Sequence, residues 1–115
     1  MVHGMDIMYL NAAYYLRHKR LTLNKTQQEV SAETGINNTA LSRLESGLHA
    51  FKPETIAKLL AYYQCRIEDV YRTYLKAPTL RAWKHLDQLE KKLLRQKRSG
   101  KRLKQKQYGQ LEFAF

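Results

Sequence analysis

The chain has 115 residues and carries 21 Lys and Arg against 10 Asp and Glu, a formal net charge of +11. That length gives one domain with room for a tail, and that charge favours polyanions, nucleic acid before an anionic membrane surface. A single cysteine, Cys65, excludes an internal disulfide, the four histidines have no ligand spacing, and there is no signal peptide and no apolar run of about 18 residues; the expectation is a cytoplasmic protein with no metal, no cofactor and no membrane partner.

Asp6 to Arg20 lacks proline and glycine and reads as a helix. Tyr9, Ala13, Leu16 and Leu21 form its apolar stripe, and Asp6, Lys19 and Arg20 suit the helix dipole. Leu21 to Lys25 connects it to the stretch that organises the chain, TQQEVSAETGINNTALSRLESG, from Thr26 to Gly47. Thr26 and Glu29 have the spacing of a capping box. Gly35 ends that helix where a left-handed residue is needed. Ile36 plugs the turn, and Asn37 caps a second helix that runs to about Glu45 before Gly47. The 3.6-residue period turns Val30, Ile36, Leu41 and Leu44 inward. It leaves Asn38, Thr39, Ser42 and Arg43 on the opposite face. Asparagine can bond adenine, arginine can bond guanine bidentately, and a threonine methyl can touch thymine. This face therefore has base-reading chemistry.

Pro53 starts the next helix, with Ile56, Leu59, Leu60 and Tyr63 inward. QCRIEDVY follows, with Cys65, Ile67, Val70 and Tyr71 at apolar positions and Cys65 read as a buried structural thiol. Ala77-Pro78 marks a boundary, so the domains are read as 1–76, 77–95 and 96–115. Thr79 caps an amphipathic helix running at least to Arg95. Its stripe of Leu80, Trp83, Leu86, Leu89 and Leu93 must bury against something: its own domain, or, as the preferred reading, a copy in a homodimer through Leu86, Leu89 and Leu93. Between Lys91 and Lys106 stand nine lysines and arginines and no acid. Ser99 and Gly100 interrupt this run, and the segment is expected to be partly flexible. The chain ends in the apolar LEFAF.

Gln27, Glu29, Val30, Gly35, Ile36, Leu41, Ser42, Leu44, Glu45 and Gly47 resemble, without a gap, the helix-turn-helix of the Xre family, the phage Cro and repressor type. The resemblance continues more weakly to Tyr71. Ser31 departs from it where alanine is usual, Gln64 where glycine is preferred and Arg66 where a capping serine is preferred. The loop LHAFKP is two residues longer than usual, with His49 and Phe51 given no firm role. The resemblance implies an all-α, five-helix lambda-repressor-like domain, here followed by the amphipathic helix and basic tail. It also implies an arginine of the first helix paired with the glutamate ending the third. Arg17 is the first candidate for Glu45 if Leu16 and Arg17 match the family's Leu-Arg pair, and Arg20 is the alternative from an ungapped alignment.

The function this implies is a sequence-specific regulator, most often a repressor, acting on a double-stranded DNA operator. Asn38, Thr39, Ser42 and Arg43 would read bases. Gln27, Asn37, Lys52, Lys97, Arg98, Lys101 and Arg102 would contact phosphates. The alternative is an antitoxin-type protein that also binds a toxin through LEFAF and the Leu80–Leu93 stripe. An RNA-binding reading rests on the basic tail alone. No nucleophile–base pair, phosphate loop or metal spacing supports an enzyme.

Overall fold

The computed structural model describes residues 4–47, 52–71 and 76–111, with side chains described over 9–47, 52–71 and 76–98. These residues form six helices in the order α1 (Gly4–Thr22), α2 (Gln27–Thr34), α3 (Asn38–Ser46), α4 (Pro53–Tyr63), α5 (Ile67–Val70) and α6 (Leu80–Leu111). No strand occurs among them, so the class is all-α.

Local chemistry sets the ends of α2 and α3. The Thr26 hydroxyl accepts from the Glu29 N–H at 3.1 Å, and the Glu29 carboxylate accepts from the Thr26 N–H at 2.9 Å, which closes the capping box. Gly35 follows at φ 79°, in the left-handed region. The Asn37 side chain accepts from the Thr39 N–H at 2.8 Å and starts α3. Gly47 ends it at φ 73°, a left-handed conformation that favours glycine, and there an added Cβ would press on Leu10 Cδ2 at 3.0 Å. Gln64 holds the left-handed position after α4, at φ 55°, which a side chain takes only at some cost.

Two clusters of buried side chains share α1. Ala12 and Leu16 face Val30, Ile36, Leu41, Leu44, Ile56, Leu59, Tyr63 and Val70 in the main core. Leu21, flanked by Tyr14, meets Leu86 and Leu93, with Trp83 and Leu89 beside them. The Tyr14 and Trp83 rings meet edge to face, with centroids 5.4 Å apart. Thus α1 lies between the helix-turn-helix and α6.

Several expectations are corrected. The stripe of α6 is covered within one chain: Leu86 is 0% exposed and Leu93 is buried against Leu21. Leu86, Leu89 and Leu93 are therefore not a free dimer surface; α1 offers a second apolar face that one stripe alone did not reveal. Leu80, at the first turn of α6, stays outside that packing and is exposed. Ile67 is half exposed, because α5 is a single turn that delivers only Val70 to the core. Finally, α6 passes through Ser99 and Gly100 to Leu111. Each of its two glycines, Gly100 and Gly109, costs only about 1 kcal/mol among good helix formers, too little to stop a long helix.

Candidate nucleic-acid interface

The third helix separates its chemistry by face. Leu41, Leu44 and Glu45 are buried, whereas Asn38, Thr39, Ser42 and Arg43 are exposed. Asn37 and Lys52 are exposed beside them, and a cleft between α3 and α4 brings Asn37, Arg43, Lys52 and Lys58 to one rim. The four expected base-reading residues and two of the expected phosphate contacts thus share a neighbourhood.

Side chains fix the turn that aims α3. The Ser31 hydroxyl donates to the Ile36 carbonyl, and the Thr34 hydroxyl donates to the Val30 carbonyl at 2.6 Å while accepting from the Ile36 N–H at 3.2 Å. Serine at position 31 therefore adds a bond across the turn that alanine could not make. Tyr62 of α4 donates to Glu33 at 2.6 Å, and Lys25 approaches the same carboxylate at 3.0 Å. These bonds hold Glu33 below the ordinary carboxylate range, with the Tyr62 bond the larger cause. Burial, then the bond to Glu33, pushes the Tyr62 phenol up to about 12.

The base of α3 rests on a buried charge network, and here the partner of Glu45 is corrected. Arg20, not Arg17, pairs with it: Nε and one terminal nitrogen each lie 2.9 Å from a Glu45 oxygen. The helix α1 continues to Thr22, through residues that a gapped alignment assigns to the connection. Arg20 therefore stands almost one turn beyond Arg17 on a similar face. Arg17 instead meets Asp87 at 2.9 Å and Glu90 at 3.3 Å, both on α6.

Glu90 also reaches Arg20, at 2.9 Å from its second terminal nitrogen, and that nitrogen donates to the Lys25 carbonyl at 2.8 Å. All five N–H donors of the guanidinium are thus engaged. Burial alone would lower the Arg20 pKa. Its bonds and attraction to Glu45 and Glu90 outweigh that and raise it, so the charge persists inside the protein. Asp87 and Glu90 were not singled out by sequence. The available signal was an acid at position 90 between Leu86 and Leu93 on the inward face of α6.

The remaining phosphate candidates divide. Gln27 opens α2, half-buried, and its amide donates to Glu45 at 3.0 Å. Lys97 is not free: its ammonium lies 3.3 Å from Glu29, an ion pair that a helix reaching past α2 makes available. Arg98 is exposed. The side chains of Lys101 and Arg102, and His49, Phe51 and the final residues of LEFAF, lie outside the described residues. Cys65 is half-buried, and burial pushes its thiol up. Among the described residues no group of three or more His, Cys, Asp or Glu could hold a metal ion, and no helix is long and apolar enough to cross a membrane.

Comparison with known proteins gives one match. Residues 16–70 match the family model described as Helix-turn-helix, HTH_3. No curated protein and no solved structure matches the chain significantly. The matched segment contains Arg20, the capping box, the glycine turn and the whole of α3. Residues 16–70, just under half of the chain, carry a helix-turn-helix of the Xre type, a family of DNA-binding regulators.

Proposed function

We propose that the chain recognises a specific operator by placing α3 in the major groove, and that it represses by excluding polymerase from the occupied site. The observation that carries this reading is the division of α3, with apolar residues and Glu45 buried and Asn38, Thr39, Ser42 and Arg43 exposed. Those four side chains supply the donors, acceptors and methyl group that distinguish base edges. Gln27, Asn37 and Lys52 set the register on phosphates, with Gln27 held in place by Glu45.

The test is selection of duplexes by the purified chain from a random pool, followed by sequencing. One enriched motif is expected. Arg43→Ala should weaken binding to it by about 1–3 kcal/mol, relax preference at one base pair, and leave random DNA almost unaffected. A pool that stays random would overturn the reading. The recovered site, placed over a reporter promoter, should lower transcription when the chain is expressed; a rise would make the protein an activator.

A further inference from the structure

The outer face of α6 carries a row of cations that recognition by α3 does not use. Arg81, Lys84, Lys91, Lys92, Arg95 and Arg98 are all exposed. At 100° per residue they fall opposite the face that packs Trp83, Leu86, Leu89 and Leu93 against α1. The acids of α6 among the described residues lie inside this row or at its edge and pair with arginines of α1. Glu90 turns inward to Arg17 and Arg20, and Asp87 is taken by Arg17. Among the described residues, none of the six cations is paired with an acid.

Pairs such as Arg81 with Lys84, Lys91 with Arg95, and Arg95 with Arg98 put like charges three or four residues apart, where they repel. A bound polyanion would turn that repulsion into attraction. The row covers residues 81–98, roughly 26 Å of helix at 1.5 Å per residue. It is also fixed in place. Leu86 and Leu93 anchor α6 on α1, and Lys97 meets Glu29 in the first turn of α2, one element before the recognition helix. An amphipathic helix binds a lipid surface through its apolar face, and here that face is already buried on α1.

The geometry points to this ridge as a second, sequence-independent surface for the phosphate backbone of duplex DNA, on the side of α6 turned away from α1. The inference rests on the DNA-binding reading above. It differs from a loose basic tail because the ridge begins at Arg81, on the folded part of the molecule, and keeps a set position relative to α3.

The test uses the full chain with Arg81, Lys84, Lys91, Lys92, Arg95 and Arg98 all changed to glutamine. Binding is measured by anisotropy across a salt series, on a random duplex and on the selected site, each of roughly 30 base pairs, or three helical turns. The six side chains are exposed and, among the described residues, unpaired, so the helical signal and the melt should match the parent. Every phosphate that the ridge no longer neutralises should make the salt slope shallower by about 0.9. A slope shallower by about 1.8 or more on both duplexes, with the preferred sequence unchanged, is expected if the ridge neutralises two or more phosphates. An unchanged slope would overturn the ridge, and so would a weakening confined to duplex RNA of the same sequence. Failure of the recognition reading is distinguishable: the parent would bind selected and random duplexes equally, while the ridge variant still weakened on both.

Discussion

Arg20 and Glu45 meet through two parallel hydrogen bonds of 2.9 Å, and neither side chain is more than 3% exposed. The pair joins the end of α1 to the end of the recognition helix in a place water does not reach. Removing either partner strands the other's charge in the interior, at a cost on the order of 3–5 kcal/mol. Glu45→Ala and Arg20→Ala should therefore both lower the denaturant midpoint strongly. Arg17→Ala should cost less than Arg20→Ala, because Arg17 pairs closely only with the exposed Asp87 and reaches Glu90 at the longer 3.3 Å. Equal destabilisation by Arg17→Ala and Arg20→Ala would show that the network does not centre on Arg20.

Leu86 is fully buried, and truncation to alanine should cost about 2–5 kcal/mol. Leu80→Ala, on the same helix but exposed, should change stability by less than about 0.5 kcal/mol. Denaturant titration separates the two. Leu86→Lys should detach α6 from α1 and unfold the chain at lower denaturant whatever the association state. A Leu86→Lys protein that melted like the parent and changed only in sedimentation would restore the dimer reading.

The Glu29 carboxyl lies below its ordinary value of 4.5, chiefly because the Thr26 N–H donates to it and also because Lys97 is near. Its folded pKa is below its unfolded one, so its contribution is complete above about 4.5 and is lost as pH falls through the folded value. Urea midpoints measured from neutral to acid pH should decline over that window. Glu29→Gln should be less stable at neutral pH and should show a shallower acid decline. Parallel curves for parent and variant would count against the cap as a source of acid sensitivity.

Ser31→Ala removes the bond from Oγ to the Ile36 carbonyl. Loss of such a bond costs about 1 kcal/mol, and a matching drop in the thermal midpoint is expected, although alanine is usual at this position in the family. A variant as stable as the parent would show that the hydroxyl only fills space.

The turn was legible in the sequence because capping is local: Thr26, Glu29, Gly35, Asn37 and Gly47 each act within a few residues of themselves, and each sits where the spacing puts it. The exposed face of α3 followed from the same helical period. Questions of partnership were harder. Choosing between Arg17 and Arg20 required knowing that α1 runs on to Thr22, since one turn of helix decides which guanidinium faces Glu45. The leucines of α6 declared a need for burial without naming what would cover them. The role of Glu90 was not legible, because nothing near it in sequence places two arginines of α1 in its path.

The engagement of Arg20 by Glu90 separates the length that carries the family match from the length that folds. Residues 16–70 contain Arg20 and Glu45 but omit Glu90, the packing of Leu86 and Leu93, and Ala12, which is fully buried in the main core. A fragment cut at 16 and 70 should give a broad, weak thermal transition by circular dichroism, while one running from 4 to 98 should melt cooperatively. Grafted onto another protein, the helix-turn-helix should need the first and last helices to travel with it.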